Sequence, residues 1–213
     1  MSILNNYNKI RTQGTKINSD LFKMLNKDDF TIIGRLLGIL HKGQLYIDDQ
    51  GKGTTMDHFA DFAIHDYCDK SGLNVIQKYL NINTNISEFE KDYLLSNLNA
   101  KCSLFSIVNS DLINSTLVLQ DLFNDNNEIE IIESSMSQNP DILNYLIFTR
   151  IVTIDNINMT SGAAIMFLKD DEDLLSKKYH SMIKKTFAHS LQAKQFIVFL
   201  KLNEKYGVPV LYK

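Results

Sequence analysis

Four runs decide how this chain folds: CSLFSIVNS (102–110), STLVLQD (115–121), NEIEIIES (127–134) and LNYLIFTRIVTIDNINMTSGAAIMFL (143–168). Apolar and polar residues alternate in them with a period of two, most clearly at Glu128-Ile129-Glu130-Ile131, and that period belongs to strands. It predicts strands over 104–109, 116–120 and 128–133, with turn chemistry at Asp111 to Asn114 and Asn124 to Asn127. After Asn139-Pro140-Asp141 a longer strand is predicted over about 144–154. It is apolar on both faces, with Leu146, Phe148, Val152 and Ile154 against Tyr145, Ile147 and Ile151, which places it centrally. Asp155-Asn156 turns it into a last strand reaching Phe167. Five short antiparallel strands with tight turns make a small barrel or a strongly curled sheet.

On both sides of this unit the pattern is helical. Residues 2–27 read as one or two short helices, the second starting near Ser19-Asp20. Asp28-Asp29 opens the next, where acidic side chains favour the positive end of the helix dipole, and Gly43 ends it. Gly34 and Gly38, four apart, suggest close helix packing. Gln44–Asp48 reads as a short extended piece and residues 49–53 as a loop. Thr54 or Thr55 then caps a helix over about 56–70, whose apolar arc holds Met56, Phe59, Ala60, Ala63, Ile64 and Tyr67. A helix over 73–80 follows, and Ser87-x-x-Glu90 is a capping-box pattern ahead of Tyr93, Leu94 and Leu98. Asp170 to Asp173 open the C-terminal helices, the second carrying Phe196, Ile197, Phe199, Leu200 and Leu202. The expected fold is therefore α+β: a helical segment (1–101), a small antiparallel β unit (102–168) and C-terminal helices packed on it (169–213), forming one integrated domain.

The words GRLLGILHKGQLYID, DFAIHDY, CSLFSIV with LVLQDLF, and PDILNYLIFTRIVTIDNINMTSGA, in that order, resemble a group of uncharacterised bacterial proteins. In these a helical segment leads into a small β unit, and the likeness covers residues 30–168. It implies the architecture and no function.

The net charge of −3 is unevenly placed. Residues 1–101 balance at zero. Residues 102–168 hold one basic side chain, Arg150, against eight acidic ones, a balance of −7. Residues 169–213 hold nine basic and five acidic, a balance of +4. The β unit thus lacks the Lys and Arg that release counterions from a phosphate backbone, and nucleic acid is not its expected partner. The +4 tail is expected to lie against the −7 sheet. Two distant cysteines, Cys68 and Cys102, suit reduced thiols. MSILNNYNK lacks the order of a signal peptide and no apolar run approaches the ~20 residues that span a bilayer, so a cytoplasmic protein without a membrane span is expected.

Candidate chemistry concentrates at Asp57, His58, Asp61, His65, Cys68 and Asp69. His58, Asp61 and His65 share one side of a helix, and two imidazoles with a carboxylate are donors for a divalent metal. The preferred reading makes them the solvated face of an amphipathic helix, because the His residues lie two turns apart rather than at i, i+4. Asp66 sits nearer the buried flank, where Arg35 or a backbone N–H would serve as its partner. Gly51-Lys52-Gly53-Thr54-Thr55 resembles a phosphate loop but fails the Walker pattern at Tyr46 and Gly53. Ser161-Gly162 reads as a packing or bulge site in a strand, and neither a GxSxG elbow nor a paired Cys/His signature is present. Lys177, His180 and Lys184 form a basic surface on a C-terminal helix.

With no catalytic set and no cofactor implied, the expected function is a non-enzymatic interaction protein whose partner is another protein. A metal-dependent hydrolase centred on His58, Asp61 and His65 is the alternative. A nucleic-acid accessory acting through the basic helix is a second. Neither partner identity nor oligomeric state follows from these residues.

Overall fold

The structure, a computed structural model, describes residues 3–47 and 54–209. The chain opens with helix α1 (Ile3–Lys23) and α2 (Lys27–Leu37), then the hairpin β1 (Leu40–His41) and β2 (Gln44–Leu45). Three more helices follow: α3 (Met56–His65), α4 (Val75–Ile82) and α5 (Glu88–Asn99). The sheet strands are β3 (Lys101–Asp111), β4 (Thr116–Asp121), β5 (Glu128–Ile132), β6 (Tyr145–Ile154) and β7 (Ile157–Leu168). Helices α6 (Glu172–Ile183) and α7 (Leu191–Tyr206) complete the layer, and β8 (Gly207–Val208) returns to the sheet.

The fold is α+β, with helices at both ends and an antiparallel sheet between them. The sheet has six strands in the order β5-β4-β3-β6-β7-β8 and is not closed into a barrel. The five expected strands are all present, with β6 in the central pair. The sixth comes from the C-terminal segment, where Met166 and Phe167 pair with Val208 and Gly207. Two residues show no alternation, so this strand carries no period to read.

The sheet curls until β5 approaches β7, yet no backbone ladder joins those two strands. Asn158 Nδ2 donates to the Glu130 carbonyl across the seam (3.0 Å). Inside the curl lie Phe105, Ile107, Leu117, Leu119, Ile131, Ile147, Ala164 and Met166, plugged by Met136 and Ile142 from the segment between β5 and β6. Outside it, Leu104, Leu146, Phe148, Val152, Ile165 and Phe167 meet the helices. Burial of such side chains contributes roughly 1.5–3 kcal/mol each, which is why both faces of β6 are apolar. Helix α7 is the central packing element of the outer layer. Its Phe199 stacks on Phe148 with centroids 4.3 Å apart and on Tyr179 at 5.5 Å, while Phe196 meets Phe62 at 5.6 Å. The tail therefore docks on the sheet through apolar surface. Among the described residues no ion pair joins its lysines to a sheet carboxylate, so charge attraction is not what seats it.

Several helix boundaries differ from expectation. Helix α1 runs unbroken because Tyr7, Ile10, Gly14, Ile17 and Leu21 bury one stripe along its whole length. Helix α2 is capped by Asn26, which accepts from the Asp28 and Asp29 amides, and it ends at Gly38 (φ 79°) rather than at Gly43. Gly34 makes room for Leu45 of the β1–β2 hairpin and not for another helix. Helix α3 starts after Thr55, as read, but stops at His65, because Asp66 and Tyr67 turn inwards to Arg150 and Asp29. Among the described residues no helix is long and apolar enough to cross a membrane.

Candidate functional site

Helix α3 lies between α1 and the sheet, so the side of it expected to face solvent is enclosed. His58 is 5% exposed and Asp61 7%, and the His65 side chain only 3%. Only Asp57 of the helix's polar set lies in solvent, and Cys68 and Asp69 fall beyond the helix end. The solvated-face reading is corrected by the layering: the sheet covers one side of α3 and α1 the other.

The three metal candidates are not brought together. His58 is taken up locally. Its Nδ1 lies 3.2 Å from the Thr55 amide, which donates to it, and its Nε2 donates to the Ala164 carbonyl of β7 (3.1 Å). Asp61 and His65 do meet, with Oδ1 and Nε2 3.6 Å apart. Among the described residues no group of three or more His, Cys, Asp or Glu side chains is placed to hold a metal ion.

The network that does form centres on Arg150 of β6, 2% exposed. Its Nε donates to Asp61 Oδ2 (3.2 Å), its Nη2 to Asp66 Oδ2, and its Nη1 to the Ala100 carbonyl at the end of α5 (3.1 Å). Asp66 thus finds its partner in Arg150, while Arg35 is exposed. One guanidinium facing two carboxylates leaves a net charge of −1 when both are ionised. Burial pushes Asp66 up to about 6, against the opposing pull of Arg150. Burial would raise Asp61 as well, but the Arg150 guanidinium outweighs it and holds that carboxyl below its ordinary value. Burial and the adjacent guanidinium push His65 down to about 4, so its ring is neutral. Its Nδ1 contacts the Asn97 carbonyl (3.1 Å), and a carbonyl only accepts. The ring proton therefore sits on Nδ1, and Nε2 presents a bare lone pair beside Asp61.

Strand β7 is bulged opposite this point. Thr149 pairs with Ala164 and Ile151 with Thr160, so Arg150 alone faces the three residues Ser161, Gly162 and Ala163. Gly162 sits at φ 110°, open to glycine at no steric cost. The bulge expected from Ser161-Gly162 is present. It places Ser161 beside the Asp61 carboxylate, though Oγ completes no hydrogen bond of good geometry. A cavity of about 420 Å³ opens here between α1, α3 and the bulge, with Asn18, Asp61, His65 and Ser161 in its lining. A second polar cluster adjoins it. Arg11 of α1 donates to Thr160 (3.1 Å) and lies 3.6 Å from Glu133, which in turn accepts from Thr160 (3.1 Å).

Cys68 and His189, 121 residues apart, approach to 3.3 Å, a pairing that no sequence spacing announces. Burial and the carboxylates of Asp66 and Asp69 push the thiol up, and burial pushes His189 down, so both are neutral and no thiolate nucleophile results. Lys177, His180 and Lys184 are exposed on and just after α6. The phosphate-loop residues 51–53 lie outside the described residues.

The second large concavity is at one open end of the curl, a groove of about 1210 Å³. Helix α5, the β4–β5 and β6–β7 turns and the start of α7 bound it. Asp92, Asp121, Glu128 and Asp155 stand in its lining against Lys101 as the one lysine or arginine there. Phe105, Ile129 and Ile151 form apolar floor, and Leu95 and Leu191 are exposed beside it.

Residues 1–213 match a family model described as a family of unknown function, DUF7986. The chain belongs to that family, which fits the resemblance to uncharacterised proteins and adds no reaction. No curated protein and no solved structure shows significant similarity to it.

Proposed function

We propose that the chain, as a member of this family of unknown function, is a non-enzymatic binding protein whose acidic groove receives a basic segment of another protein. The observation that carries the reading is the composition of the groove: four carboxylates around an apolar floor at the open end of the sheet, with Lys101 the one lysine or arginine in the lining and His180 at its edge. None of the four is in an ion pair among the described residues. Complementary charge speeds encounter and sets register, while the half-buried Ile129 and Ile151 supply contact area. A lysine-rich segment with interspersed apolar side chains matches both features. The metal-hydrolase alternative loses support from the turning of His58 towards β7. The exposed Lys177, His180 and Lys184 keep the nucleic-acid alternative open to the same assay.

Titration with a fluorescent peptide of alternating lysine and leucine tests the reading. Saturable binding is expected at low salt, weakened at least about tenfold by Asp92→Lys with Glu128→Lys and weakened again by 0.5 M salt. Unchanged affinity in the charge-reversed protein, or tighter binding of a glutamate–leucine peptide, would refute it. Salt-sensitive binding of a single-stranded oligonucleotide, lost in Lys177→Glu with Lys184→Glu, would favour the accessory role instead.

A further inference from the structure

The cavity between α1, α3 and the β7 bulge has a floor made of acceptors. Asp61 Oδ1 and His65 Nε2 face each other at 3.6 Å with no proton to share, because the ring hydrogen is committed to Asn97 on the far nitrogen. Two lone pairs held this close inside a protein repel unless a donor or cation lies between them. Asn18 Oδ1 and Ser161 Oγ, both lining the cavity, are shielded from solvent and complete no hydrogen bond. Buried polar atoms in native proteins are paired as a rule, and two unpaired ones, Asn18 Oδ1 and Ser161 Oγ, beside the Asp61 carboxylate and the bare His65 nitrogen mark a place for a donor. The underlying Arg150–Asp61–Asp66 cluster has one negative charge in excess.

We propose that this cavity binds a small aliphatic primary amine, its ammonium group seated among Asp61 Oδ1, His65 Nε2, Asn18 Oδ1 and Ser161 Oγ. An ammonium brings three N–H donors and a single positive charge, which matches three acceptors that can only accept and one excess negative charge. The Ser161 hydroxyl, which completes no hydrogen bond of good geometry, lies beside them and is able to accept from the ammonium. An anion is opposed by the charge, and a neutral alcohol brings one donor to a floor that needs three. A dication would find two strong ligands and stand against the Arg150 guanidinium that already holds Asp61. Phe22, Ala60 and Ile64 give the space apolar walls for a short alkyl chain, and its volume of about 420 Å³ lies in the range of small-molecule sites. The cavity and the acidic groove share no lining residue, so this inference stands apart from the proposed protein partner.

Calorimetric titration of the full chain with n-butylamine, with 1-butanol as the neutral control, tests the assignment. One-to-one binding of the amine is expected with a dissociation constant below about 1 mM, which corresponds to roughly 4 kcal/mol. The alcohol is expected to bind at least tenfold more weakly. Ala60→Phe, which fills the cavity from a half-buried wall position, is expected to abolish the heat while leaving the circular dichroism spectrum unchanged. Asn18→Leu is expected to weaken binding at least tenfold, and Asp92→Lys with Glu128→Lys to leave it unaltered. Absence of saturable amine binding by the native chain, equal binding of the alcohol, or undiminished binding by Ala60→Phe overturns the proposal.

Discussion

Replacing Arg150 by methionine keeps much of the side-chain length and strands Asp61 and Asp66 beside each other without a counter-ion. Breaking a buried pair from one side costs about 3–5 kcal/mol, because the remaining charge cannot reach water. Urea denaturation of Arg150→Met is expected to show a loss of that order. The triple change Arg150→Met, Asp61→Asn, Asp66→Asn is expected to recover most of it, since no unpaired charge is left behind. The same residues set the response to acid. Asp66, raised to about 6, favours the protonated native state, so its contribution is present below the ordinary carboxyl range and is lost as pH rises towards 6. His65, lowered to about 4, contributes above its ordinary value and loses that as pH falls towards 4. Between pH 4 and 6 the two slopes oppose each other. The native chain is expected to show a shallow stability profile there, and His65→Gln a profile that falls as pH rises; equal slopes for the two proteins would contradict the assignment.

At the scale of elements, the bulge in β7 depends on Gly162. A Cβ there would meet nothing nearer than Arg11 Nη1 at 3.9 Å, so the obstacle is the positive φ and not space. Gly162→Ala is expected to cost about 1–3 kcal/mol in thermal or urea unfolding, whereas Ser161→Ala costs less than about 1 kcal/mol. The strands themselves were legible, β4 from alternation that matches its alternate burial and β6 from a run apolar on both faces that lies in the middle of the sheet. The site was half legible. Asp61, His65 and Asp66 stood out, but a single helix cannot tell which of its faces is covered, and the seating of α3's polar residues against β7, β6 and the end of α5 is a tertiary fact. Arg150 carried a signal that went unused. It is the one basic residue in 102–168 and falls in register with Leu146, Phe148, Val152 and Ile154, on the face that packs against helices. A lone cation at such a position demands carboxylates from the neighbouring layer. Asn18, Cys68 with His189, and the strand at 207–208 offered no comparable sign, since none follows from a period or a motif.

For the whole molecule, charge and packing divide the labour between two ends of the sheet. The interior ions join α3, α5 and β6, while in the groove Asp121 ties the β4–β5 turn to Ser103 of β3 and Asp92 and Glu128 stand exposed. Reversing Asp92 and Glu128 is therefore expected to move unfolding by no more than about 0.5 kcal/mol while changing partner binding, a separation that thermal melts and peptide titration would show side by side. The incomplete closure of the curl has one more consequence. A sheet with two free margins offers its unpaired amides and carbonyls to any neighbouring copy of itself. One margin here is only two residues long, and the other exposes Glu128 and Glu130. Substituting both by valine would leave a flat, uncharged border, and light scattering of the concentrated protein is then expected to reveal strand-to-strand oligomers that the native border repels.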